Sequence, residues 1–150
     1  MKTVCSHALL ALLLMLALGQ ALPIQPLYAQ EGETLSIGEV IKNIDPATAT
    51  KAQIKVYFDK VKGKQARGEG TVTDVLPPGG WSREYFRVTI LTPGSKPEKG
   101  YNVVLYTTQD TVSDLKMNDK ISFEGKIHKT SSFKGGSVDV IGTYKKAGAQ

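Results

Sequence analysis

The sequence predicts a mostly β, α+β fold: a closed five-stranded barrel preceded by two short N-terminal helices. Three observations carry that expectation. Apolar residues recur at helical spacing within residues 36–63. From Gly68 onward the period changes to two. Five such segments follow, with glycine- and proline-containing breakers among the stretches between them.

The first helix is predicted over residues 36–44. Ile37, Val40, Ile41 and Ile44 form one apolar face, and Asp45-Pro46 ends it because the residue before proline avoids the helical region. The second begins at Thr50. Thr50 and Gln53 have the spacing of a capping box, in which hydroxyl and amide each satisfy an orphan N–H. Ile54, Tyr57, Phe58 and Val61 continue the apolar stripe, and Gly63 closes the helix. Lys51, Lys55, Lys60, Lys62, Lys64 and Arg67, interrupted by Asp59, read as a solvated face.

Strands are predicted at 68–76 (GEGTVTDVL), 85–91 (YFRVTIL), 101–107 (YNVVLYT), 120–128 (KISFEGKIH) and 137–144. A short helical turn is expected at 111–115, and loops at 77–83 (PPGGWSR), 93–100 and 129–136 (KTSSFKGG). In 85–91, Phe86, Val88 and Ile90 alternate with Tyr85, Arg87 and Thr89. In 120–128, Ile121, Phe123, Gly125 and Ile127 share one side, which places Phe123 in the core. The phase of 101–107 stays open, because Val103, Val104 and Leu105 run together; one of Tyr101 and Tyr106 is expected in the core.

Five strands with a short element between the third and fourth have the layout of an OB barrel. Residues 68–144 resemble exported bacterial OB-fold domains of the tRNA-anticodon-binding-like OB family. The resemblance is carried by GEGTVTDV in the first strand and by LKMNDKISFEGKI leading through the fourth. In the latter, Leu115, Asp119 and Ile121 frame a turn into a strand whose Gly125 permits tight bending. Asn118 stands where many relatives carry glycine, and asparagine tolerates the positive φ that such a turn needs. The resemblance implies nucleic-acid binding, although a fold alone does not fix a function.

The N-terminus reads as a signal peptide over residues 1–29. Lys2 is followed by an uninterrupted apolar run at 8–18 (ALLALLLMLAL), shorter than the roughly 20 residues a spanning helix needs. Gly19 with Ala21, or the later Ala29, offers a cleavage site. The expected organisation is a signal peptide at 1–29, a helical extension at 30–67 and the barrel at 68–146. Lys2 is the only charged residue before position 30, so cleavage lowers the formal net charge from +5 to +4, a mildly basic balance. These features predict a periplasmic or secreted protein with no stable membrane insertion after cleavage.

The one cysteine is Cys5, inside that signal, so no disulfide or thiol chemistry is expected of the mature chain. With His128 its only histidine, no His/Cys metal site is expected, and His128 reads as a solvated strand residue. Asp110, Asp114 and Asp119 read as caps and turn residues rather than calcium ligands. No nucleophile elbow or phosphate loop is present. The expectation is therefore a non-enzymatic binding protein without a cofactor.

OB barrels bind oligonucleotides or oligosaccharides across their second and third strands, with two loops as clamps. Here those loops carry Trp81 and Arg83, and Lys129, Phe133 and Lys134; the strands between them offer Tyr85, Arg87 and Tyr106. Aromatics stack on bases while cations meet phosphates, so single-stranded DNA or RNA is the first expected partner. Trp81 and Phe133 serve equally well as plugs for the barrel ends. The alternative is an envelope interaction module that binds a protein or a cell-wall glycan. Salt dependence separates the two.

Overall fold

A computed structural model describes residues 33–80, 82–131 and 135–148. Its elements are β1 (Leu35–Ser36), α1 (Ile37–Asn43), α2 (Lys51–Val61), β2 (Gln65–Leu76), β3 (Phe86–Leu91), β4 (Val103–Thr107), a 3-10 turn (Asp110–Asp114), β5 (Lys120–Ser131) and β6 (Ser137–Lys146). The strands hydrogen-bond in the order β2-β3-β4-β6-β5, and β5 returns to β2, which closes the barrel. All these pairings are antiparallel except β4 with β6. This is the OB-like architecture, with two helices leading into it.

The helices form for the reasons visible in the sequence. Ser36 takes the N-cap position of α1 in an extended conformation without a side-chain capping hydrogen bond, and Ile37, Val40 and Ile44 are buried. At α2 both halves of the capping box are made: the Gln53 N–H donates to the Thr50 hydroxyl, and the Thr50 N–H donates to the Gln53 amide oxygen at 2.9 Å. Gly63 turns the chain out of the helix at φ +77° and donates its N–H to the Ile127 carbonyl. Ile37, Val40, Ile44, Ile54 and Val61 join one core with Val88, Ile90, Leu105, Phe123 and Val140. The helices therefore contribute to the hydrophobic interior of the barrel rather than standing beside it.

Strand phases follow the period-two pattern. Val88 and Ile90 face inward from β3, and Ile121, Phe123 and Ile127 from β5. The open phase of the third barrel strand resolves with Val103 and Leu105 inward, opposite Ile90 and Val88. Asn118 takes φ +72° in the turn before β5, as the left-handed position there requires. Asp119 holds that turn by accepting from the Lys116 N–H and pairing with Lys146 at 2.7 Å. Gly125 and Gly142 are register partners where β5 and β6 cross closely. A β-carbon at Gly142 would lie 2.6 Å from the Gly125 Cα, a distance no side chain tolerates.

Several boundaries differ from expectation, each because of a partner elsewhere in the chain. The first barrel strand starts at Gln65 rather than 68, since Gln65, Ala66 and Arg67 pair with β5. Ala66 and Arg67 also pair with β1 on their other edge. The third barrel strand starts at Val103 because Asn102 is engaged before it. The Thr92 N–H donates to the buried Asn102 amide oxygen, and the Asn102 amide donates to the Thr92 hydroxyl at 2.7 Å, pinning the base of the β3–β4 hairpin. Beyond β4, the Gln109 side chain reaches β6. Its oxygen accepts from the Tyr144 N–H at 2.7 Å and its amide donates to the Tyr144 carbonyl.

Candidate ligand-binding face

The outward side of β3, β4 and the first half of β6 is a polar surface assembled from the register. Arg87 on β3 is the direct partner of Tyr106 on β4. Tyr106 lies diagonal to Asp139, which is the partner of Val104 on β4 and of Lys129 on β5. The loop into β3 meets this face where Phe86 pairs with Thr107. The loop into β6 meets it where Val138 pairs with Val103. The two loops thus stand at opposite ends of the same stretch of sheet, about 13 Å apart along β4 at a strand's rise per residue.

The sequence-predicted residues fall as follows. Arg83 is exposed in the loop before β3, while Tyr85 and Arg87 are half-buried. Arg87 Nε is sealed from solvent and has no hydrogen-bond partner among the described residues. Lys129 is exposed, but it belongs to β5 and not to a loop: pairing with β6 continues to Ser131, so the connecting loop is shorter than expected. Trp81, Phe133 and Lys134 lie outside the described residues. Tyr106 corrects the expectation of an open contact residue. It points outward yet is only 6% exposed, and its hydroxyl hydrogen-bonds the Asp139 carboxylate. Burial and the neighbouring Asp139 charge push the Tyr106 phenol up to about 12. It is a structural member of the face, not a platform on it.

Asp139 is the residue that sequence reasoning missed. It is half-buried, and burial raises its carboxyl above the usual carboxylate range; Lys129, His128, Lys99 and the Tyr106 hydroxyl pull in the opposite direction. The available signal was a lone acid in the outward phase between Val138 and Val140. Lys99, from the β3–β4 hairpin, sits 5.0 Å over the Tyr101 ring in a cation–π contact, and burial lowers its ammonium pKa. His128 is exposed as expected, and a β-bulge between Ile127 and Lys129 leaves His128 and Lys129 outward in succession. The arrangement concentrates cations from two strands and a hairpin around one carboxylate, beside Tyr85 and Tyr101. Its chemistry suits anion recognition.

The opposite outward region is different. Ser36, Arg67, Glu69, Phe123, Glu124 and Lys145 are among the residues around an open cavity of about 480 Å³ over β2, β5 and the second half of β6. Acids and bases alternate there without a dominant sign. No group of three His, Cys, Asp or Glu residues that could hold a metal ion occurs among the described residues. No helix among them is long and apolar enough to cross a membrane.

No protein-family model matches the chain, and no curated protein matches it. Among solved structures it is similar to the OBody AM3L09 bound to hen egg-white lysozyme, at 15% identity over 59% of this chain and 85% of that one, TM-score 0.41. It is similar to the OBody AM3L15 bound to the same lysozyme, at 16% identity over 61% and 82%, TM-score 0.40. It is also similar to a Klebsiella pneumoniae lipoprotein inferred to bind nucleic acid, at 16% identity over 77% and 91%, TM-score 0.48. At these values the similarities identify neither a family nor a ligand.

Proposed function

We propose that this is an exported, non-enzymatic OB-like binding protein whose β3–β4–β6 face takes single-stranded nucleic acid. The observation that carries the reading is the gathering of Arg87, Lys99 and Lys129 around one stretch of sheet, with half-buried Tyr85 and Tyr101 beside them. Cations meet the phosphates, and tyrosine faces accept bases regardless of sequence. The sequence adds Trp81, Phe133 and Lys134, which the pattern predicts in loops at 77–83 and 129–136. Arg83 extends the cationic edge into the first loop. Export rests on the n-region, apolar run and small residues of positions 1–29, and periplasmic or secreted location follows from it.

The test is a titration of a labelled dT oligonucleotide at several salt concentrations. Each phosphate contact contributes about 0.7 to the slope of log K against log salt for a single strand, so Arg87→Ala and Lys129→Ala should each lower the slope by that amount. Trp81→Ala or Phe133→Ala should cost roughly 1–3 kcal/mol through lost stacking. Absence of binding at low salt, or an affinity indifferent to salt, overturns the nucleic-acid reading. The latter result selects an envelope protein or glycan instead.

A further inference from the structure

Asp139 has no evident reason to be where it is if the face merely collects phosphate. It lies in the middle strand of the cationic surface, half-buried, with a basic residue approaching from each side. On β5, Lys129 is its register partner and His128 precedes Lys129 at the bulge. On β4, Tyr106 donates its hydroxyl to the carboxylate. From the β3–β4 hairpin, Lys99 is close enough to feel its charge, and Tyr101 lies under Lys99. Arg87 reaches the same cluster through Tyr106. A neutral side chain would satisfy Tyr106 equally well, and a carboxylate incurs desolvation to stay there. Its charge therefore calls for a role.

We propose that Asp139 is a resident counter-anion that competes with incoming phosphates for Lys129 and Lys99, and so sets how strongly this face holds an anionic strand. The inference rests on the nucleic-acid reading above. With Asp139 ionised, the cations are partly neutralised from within, and a strand binds only by sharing them. With Asp139 protonated or replaced, the same cations face solvent uncompensated. Binding then tightens in mild acid. His128 lies on the same face, so replacement of Asp139 isolates the share that Asp139 contributes. Tyr106, pushed up to about 12, stays protonated throughout that range.

The experiment measures binding of a dT oligonucleotide to wild type, Asp139→Asn and Glu124→Gln at pH 7 and pH 5 in about 0.1 M salt. Asp139→Asn retains an acceptor for Tyr106 and nearly the same volume. Asp139→Ser provides a second variant, and thermal melts show which are folded. One unit charge removed within several ångströms of the phosphates should tighten binding about three- to tenfold at pH 7. The pH dependence should shrink in the same variant. Glu124→Gln changes the net charge equally, but five residues from Lys129 along β5, about 16 Å at a strand's rise and beyond the Debye length of about 10 Å at 0.1 M salt, and should stay within about twofold of wild type. If strands bind wild type but Asp139→Asn and Asp139→Ser bind no tighter than Glu124→Gln, or bind more weakly, the counter-anion role is wrong while the nucleic-acid reading survives. If neither wild type nor any variant binds the strand, both fall together.

Discussion

Two outward regions of this barrel invite comparison. Around Asp139, side chains that alternate outward are covered by one another, and Tyr106 ends almost fully buried. Around Glu124, side chains in the same alternation stand open to solvent beside a cavity. Both regions mix acids with bases, and both lie on β5 and β6. They differ in burial, and burial decides how much a charge matters. A carboxylate in water is screened within about 8–10 Å at ordinary salt, whereas one held under neighbouring side chains keeps most of its influence.

Phe123 is the point where the two regions share an interior. It is 3% exposed, packs in the core, and also contributes to the cavity on the Glu124 side. Phe123→Ala should cost about 3–5 kcal/mol in denaturant unfolding, the range for emptying a large aromatic site. A loss under about 1 kcal/mol would mean that the Glu124 side can collapse onto the vacancy, and that the barrel is less rigid there than near Asp139. The Gly125–Gly142 crossing, which separates the regions along β5 and β6, comes next. Gly142→Ala should cost about 1–3 kcal/mol by the same measurement, because the added methyl meets backbone that must be pushed aside.

Smaller, and directed at the comparison itself, is the pH dependence. The Asp139 pKa is raised in the folded chain, so folding favours its protonated form. Its contribution is fully present below the ordinary aspartate range and is lost as pH rises through the raised pKa. The melting temperature of Asp139→Asn relative to wild type should therefore improve as pH is raised from 4 to 7. A difference between Asp139→Asn and wild type that does not change with pH would show that burial near Asp139 does not penalise its charge, and would erase the distinction between the regions.

Much of the fold was legible because its signals are local. Thr50 and Gln53 are three residues apart and fix a helix start without help from the rest of the chain. Asn118 supplies a positive φ from its own chemistry. The alternation of Ile121, Phe123 and Ile127 gives both strand and phase. The misplacements arose where a distant segment decides. Lys129 lies in a strand because Asp139 pairs with it, and Gln65 because Lys126 does. Alternation told which way Tyr106 points but not what would cover it. For the same reason Asp139 escaped notice: its importance comes from Lys99, Lys129 and Tyr106, which converge only after the barrel closes.

The side chain of Gln109 has an effect on the exposed margin of the sheet. β4 accompanies β6 only as far as Ile141, so beyond that residue the β6 backbone would offer a bare row of donors and acceptors. Gln109 takes the Tyr144 N–H and carbonyl in both directions, much as one residue of an added strand would. The Tyr144 hydroxyl returns the favour by bonding Thr111 at 2.9 Å, which docks the 3-10 turn over the same margin. The Tyr144 amide is thus shielded from hydrogen exchange by a side chain rather than by a neighbouring strand. Release of the short segment 108–114, without any opening of the barrel, would uncover a stretch of β6 open to pairing with another chain, so this clasp guards against edge-to-edge association.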